Sequence, residues 1–187
     1  AGVTALTNGN YVVSSLLWNG SRGAATWGDG STAGPRLVGA VTATNSLVST
    51  TVGASVGSNG ITALANGNYV VSSPVAVSGG AVTWGSGTTG ISGTISSLNS
   101  LLAPSGGQVG TGSVSGLSNG NFVVSSHLAQ NGVIVNAGLV HVVLPPGGGG
   151  FTNPLAFADN AAGTTTITPA QITTITNAGT AVTLQAN

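Results

Sequence analysis

The chain has 187 residues, of which two are Lys or Arg, two are Asp or Glu and two are His, with no Cys and no Met. Only 2% of residues are charged, against about 25% in an ordinary soluble domain. That rules out a basic patch for nucleic acid or an anionic membrane surface, a disulfide framework and Cys-based zinc sites, and it leaves few groups for acid–base catalysis. Ser, Thr, Asn and Gly together supply 94 residues, yet 41% of the chain is hydrophobic and the mean hydropathy is +0.42, so the chain is expected to fold.

In chain order, the first pattern is Val3 to Ser15, VTALTNGNYVVSS. Apolar and β-branched residues flank Asn8-Gly9, the strongest short-range hairpin signal, and a type I′ turn is expected there because it needs positive φ at both central positions. Asn19-Gly20-Ser21 follows as an N-glycosylation sequon, with Asn19 the acceptor. GAATWG, Gly23 to Gly28, reads as the next strand, and Gly28-Asp29-Gly30 as a turn whose Asp serves the backbone. VTATNSLVS, Val41 to Ser49, closes the unit.

The same text then starts again, and such repetition outranks every other signal. ITALANGNYVVSS spans Ile61 to Ser73, GAVTWG spans Gly80 to Gly85, and ISSLNSLLA spans Ile95 to Ala103. A third copy, VSGLSNGNFVVSS at Val114 to Ser126 and GLVHVV at Gly138 to Val143, is degenerate. The Asn of the turn recurs at Asn8, Asn66 and Asn119, each followed by Gly9, Gly67 or Gly120, at spacings of 58 and 53 residues. In the second copy the expected strands are 61–65, 68–73, 80–85 and about 94–97, a four-stranded antiparallel meander of the kind found in propeller blades. No convincing helix is read in residues 1–145.

Pro145-Pro146 and Gly147 to Gly150 mark a change of composition. Beyond them, 164–168 and 180–185 alternate enough to be strands, and 168–179 suits one short helix or turn with Pro169 at its first position. The organisation expected is therefore repeat 1 over 1–58, repeat 2 over 59–113, a degenerate repeat 3 over 114–146, and a Gly-rich linker with a β-rich tail over 147–187. The fold class expected is all-β, in blade-like meanders that three imperfect units cannot close into a ring, with a β-solenoid as the alternative.

The unit NGNYVVSSP, then GAVTWGSGTTGISG, then NSL resembles the long tandem repeats of very large secreted bacterial proteins with filamentous-haemagglutinin-type regions. More distantly it resembles the FG-GAP blades of integrin-type propellers. The tail TTTITPAQITTITNAGTAVTLQAN is similar to a segment that introduces β-helical repeats in haemagglutinin-like adhesins. The resemblance implies secreted surface proteins acting in adhesion, biofilm or fibre formation, with no catalytic residues. Integrin-type blades often carry an Asp-rich calcium loop, whereas Asp29 and Asp159 here each lack a second carboxylate nearby.

Few residues could carry chemistry. His127 and His141 have no carboxylate or thiol beside them to complete a metal site. No GxSxG elbow accompanies the many serines, and the Gly-rich stretches lack a phosphate-loop Lys. No enzyme activity, cofactor or metal is therefore expected. Trp27 and Trp84 occupy equivalent positions and are read as packing between successive units rather than as sugar platforms. The expected function is a structural or adhesive module of an extracellular or cell-surface protein. Its partner would be itself, as a homopolymer or as neighbouring repeats of a longer chain, through strand edges that no charge defends. The alternative is a carbohydrate-binding module using the aromatics; nucleic acid and membrane insertion are not expected.

Overall fold

In a computed structural model, residues 2–31, 39–77, 79–103, 107–129 and 136–143 are described. The chain divides into two compact units, Ala1–Ala156 and Phe157–Asn187, and every described residue lies in the first. The expected strands and helix of the tail, the Gly-rich segment, Arg36 and Asp159 lie outside the described residues.

The described chain is all-β and built from repeats. The first sheet holds β1 (Gly2–Ala5), β2 (Tyr11–Ser15), β3 (Ala24–Gly28) and β4 (Leu47–Val48), in that order. In the second repeat β5 (Ile61–Ala63), β6 (Tyr69–Ser73) and β7 (Ala81–Gly85) pair antiparallel, β8 (Gly93–Thr94) follows, and β9 (Ser100–Leu102) pairs with β7. The third sheet is β10 (Val114–Gly116), β11 (Phe122–Ser126) and β12 (Leu139–Val143). Each repeat thus carries its own antiparallel meander, unlike a β-solenoid, and no closed barrel forms among the described residues.

Two expectations need correction. The fourth strand of the second sheet is Ser100–Leu102, not residues near 94–97. A turn at 96–99, in which Asn99 Oδ1 accepts from Ser96 N at 2.9 Å, reverses the chain so that Ser100 lies opposite Thr83. Gly93 and Thr94 instead pair parallel with Leu47 and Val48 of the first repeat. The turns also differ from type I′: Gly9, Gly67 and Gly120 have φ of 88°, 86° and 86°, while the preceding asparagines are not in the positive-φ region. Gly9 N donates to Leu6 O at 3.1 Å and Leu6 N to Asn10 O at 2.8 Å. The turn is therefore centred one residue earlier, on Thr7-Asn8, with the Gly left-handed after it. Asn is used because its Oδ1 accepts the N–H two residues on, at 3.2 Å from Asn10 and Asn68 and 3.1 Å from Asn121.

One short helical element occurs where none was read, at Trp18–Ser21. Asn19 (φ 48°, ψ 59°) and Gly20 (φ 70°, ψ 42°) are left-handed, a conformation that Asn and Gly tolerate best. It is a local reversal between β2 and β3 rather than a packed helix, and none of its residues is buried.

Burial shows how the sheets are arranged. All five residues of β6 are buried, whereas β11 alternates buried and half-buried and β2 buries only Val12. Successive side chains of a strand point to opposite faces, and those of β6 enter two different cores. Tyr69 and Val71 pack with Leu6, Val12, Ala25 and Leu47 of the first repeat. Val70, with Val82 and Leu101, packs with Phe122, Val124 and Val143 of the third. The middle sheet is thus covered on both faces, and each repeat presents the same face to the one that follows it.

Candidate functional site: the joint between repeats

Among the described residues, repeated positions of the first and second repeats meet at the joint between them. β1 and β2 hold the turn at Asn8, and β3 carries Trp27 opposite Val12. Asn8 Nδ2 and Asn10 Nδ2 both donate to the carbonyl oxygen of Gly87 at 2.7 Å, and Trp27 Nε1 donates to the same oxygen at 3.0 Å. Three side-chain donors of the first repeat therefore converge on a single backbone acceptor of the second. The Gly87 N–H is held at its other end by Asn68 Oδ1 at 2.9 Å. A side chain at this position has no room, because a Cβ on Gly87 would run into the Gly67 carbonyl. Thr7 Oγ1 adds a bond to Leu64 O at 3.2 Å.

The contacts recur along the chain. Gly30 N donates to Asn10 Oδ1 at 3.0 Å, as Gly87 N does to Asn68 Oδ1. Gly57 N and Gly110 N donate to Ser73 Oγ at 3.0 Å and Ser126 Oγ at 3.3 Å, the last residue of VVSS in two copies. Asn59 Nδ2 reaches Gly110 O at 2.7 Å and Gly112 O at 2.8 Å, tying the start of the second repeat to its end.

Within the first two sheets the NSL block has its own role. Ser46 Oγ donates to Asn45 Oδ1 at 2.8 Å, which leaves Thr26 Oγ1 to donate to Ser46 Oγ at 2.7 Å. Asn99, Ser100 and Thr83 repeat this chain of bonds at 2.8 and 2.7 Å. These hydroxyls are buried, and paired in this way they avoid the penalty of unsatisfied burial. His141 stands at the Thr83 position in the third copy, and both its ring nitrogens are buried without a hydrogen-bond partner among the described residues. Burial lowers its pKa, since the cation would lose solvation.

The glycines around tryptophan have a separate cause. Tyr11 lies opposite Gly28 and Tyr69 opposite Gly85, and a Cβ at either glycine would enter the tyrosine ring. The third copy changes both partners, with Phe122 opposite Val143. Tyr69 is fully buried, its hydroxyl accepts from Ile91 N at 3.2 Å, and burial raises its pKa.

The other candidate residues stay apart. Trp84 packs at the second joint, but its Nε1 is buried without a partner among the described residues, and position 145, which corresponds to Gly87, lies outside them. Asn119 and Gly120 form the third turn. Asn19 is exposed, and its carbonyl accepts from Arg22 Nη1 at 2.7 Å. Asp29 Oδ1 accepts from Ser31 N at 2.8 Å, closing the turn. His127 is exposed and is not part of a metal-binding cluster; among the described residues there is none. Nor is any described helix long and apolar enough to cross a membrane. The sequence marked Asn8 and Trp27 as repeat positions but missed Gly87 as their shared acceptor; the signal was a glycine two residues beyond each tryptophan strand, at Gly30 and Gly87.

A family model described as a repeat of unknown function (DUF5650) matches residues 5–58, 63–111 and 116–142. No curated protein matches the chain.

Proposed function

The chain belongs to the DUF5650 family of repeats of unknown function, and on that premise we propose that it is a structural, adhesive repeat module of an extracellular bacterial surface protein. In this reading it is of the filamentous-haemagglutinin-like kind its motifs resemble, and it works by assembling into a fibre or sheath. The observation that carries the reading is the addition of β8 of the second repeat to the sheet of the first, Leu47 opposite Gly93 and Val48 opposite Thr94. The repeats already extend one another at a sheet edge, and edges without charge are the kind that accept further strands. The joint between the first two repeats also uses neutral groups: side-chain amides, a hydroxyl and an indole on backbone carbonyls.

Negative-stain microscopy of the purified full chain tests the reading. Filaments or sheets that lengthen with concentration are expected. Particles of one repeat array, dispersed at every concentration, would overturn it.

A further inference from the structure

The two outer faces of the described stack are the two halves of its internal joint. Leu6 and Leu64 are buried against the following repeat, at 5% and 2% exposure, while Leu117 in the same position is 38% exposed. Ala25 and Val82 are fully buried, whereas the equivalent Val140 is 63% exposed. Val142, at the position of Trp27 and Trp84, is 49% exposed. Leu117, Val140 and Val142 thus form an apolar face on the third sheet that every earlier repeat covers with its successor.

The opposite end is unfilled in the complementary way. Ile61 and Val114 pack into the core shared with the preceding repeat, while Val3 in that position is 71% exposed. Tyr11 and Val13 are half-buried where Tyr69, Val71, Phe122 and Val124 are fully buried. No charged side chain stands among these residues.

We propose that the Leu117, Val140 and Val142 face binds the Val3, Tyr11 and Val13 face of a second copy of this chain, continuing between molecules the joint that links repeats within one. The inference rests on the assembly reading and makes it specific. The interface is face to face, with sheet-edge addition accompanying it, and it is heterologous, so the two faces differ and neither is used up by pairing with itself. Such contacts give closed rings if the rotation between units closes and open filaments if it does not. The joint is apolar, and a carboxylate placed in it would be buried without a partner, a costly arrangement.

The test uses full-length chains in sedimentation velocity, with circular dichroism to confirm folding. Val140→Asp with Val142→Asp blocks one face and Val3→Asp blocks the other. Each variant alone is expected to stay monomeric at concentrations where the unmodified chain associates, a weakening of at least about tenfold. An equimolar mixture is expected to form dimers and nothing larger, because each variant keeps one intact face. That recovery also shows that both variants fold. Folded variants that associate like the unmodified chain, or a mixture that stays monomeric, would overturn the proposal. So would an unmodified chain that is monomeric throughout, which would leave the face bare or assign it to the chain's own residues 144–187. Closed rings abolished by these substitutions would sustain the joint and overturn the fibre reading. Filaments indifferent to them would do the reverse.

Discussion

The indole N–H of Trp27 donates to the carbonyl oxygen of Gly87 across 60 residues of sequence at 3.0 Å. The equivalent Trp84 has its Nε1 buried without a partner among the described residues. The two tryptophans share a motif and a strand position, so among the described residues the bond is what distinguishes them.

Replacing each by Phe separates bond from packing. Both substitutions lose similar ring volume, but Trp27→Phe also removes a hydrogen bond, of net value about 0.5–1.5 kcal/mol, while Trp84→Phe removes a buried donor that has no partner among the described residues. Urea denaturation is expected to show Trp27→Phe as the more destabilising by about 1 kcal/mol. Equal losses would mean that the Gly87 contact contributes nothing.

Gly87→Ala attacks the acceptor side. The added Cβ would meet the Gly67 carbonyl, which is backbone and cannot swing away. Overpacking of this kind typically costs about 1–3 kcal/mol, and here it would also displace the oxygen that three side chains share. Gly53→Ala, where φ is 80° but the space is open, controls for backbone strain alone. Gly87→Ala is expected to be at least as destabilising, and to raise amide exchange at Asn8 and Asn10 as the control does not.

The leucines of the turn motif report coverage directly. Leu64 is fully enclosed between the second and third sheets, so Leu64→Ala is expected to cost about 2–5 kcal/mol. Leu117 occupies the same motif position on the uncovered face. Leu117→Ala is expected to cost less than about 1 kcal/mol in the dissociated chain, because little surface leaves water there. A comparable loss at both sites, measured at low concentration, would show that something covers the third sheet.

His141 makes stability depend on pH. Its folded-state pKa is lowered by burial, below the unfolded value of about 6.5, so the neutral ring favours the fold. The contribution is complete above about pH 6.5. It declines as pH falls below that value, because the unfolded chain takes up the proton first, and it levels off below the folded pKa. Thermal unfolding monitored from neutral to mildly acidic pH is expected to show this decline. His141→Thr, which restores the residue of the other two copies, is expected to abolish it; an unchanged pH profile in that variant would refute the assignment.

Much of this arrangement was legible in the residues. Asn-Gly pairs between β-branched runs located the hairpins, and the recurrence of VVSS and GAVTWG set out the repeats. Their centring was misread because Asn-Gly suits two turns. A type I′ turn uses both residues in positive φ, whereas here Asn8 anchors an Asx turn and only Gly9 is left-handed. The fourth strand was misplaced because Gly93 and Thr94 are extended but serve the neighbouring sheet, a partnership that local alternation cannot reveal. Gly87 was passed over because its role lies in its carbonyl, which carries no residue type. The alternation of Tyr69, Val70 and Val71 between two cores was likewise hidden, since three consecutive large apolar residues look the same whether one face or both are covered.

The central claim, assembly through neutral contacts, is tested most directly by sedimentation velocity of the full chain as salt is raised from about 0.1 M to 1 M, over which the screening length falls from about 10 Å to 3 Å. The size distribution is predicted to stay the same or shift to larger species, since the joints present amides, hydroxyls and apolar side chains. Dissociation to monomers at moderate salt would contradict the account.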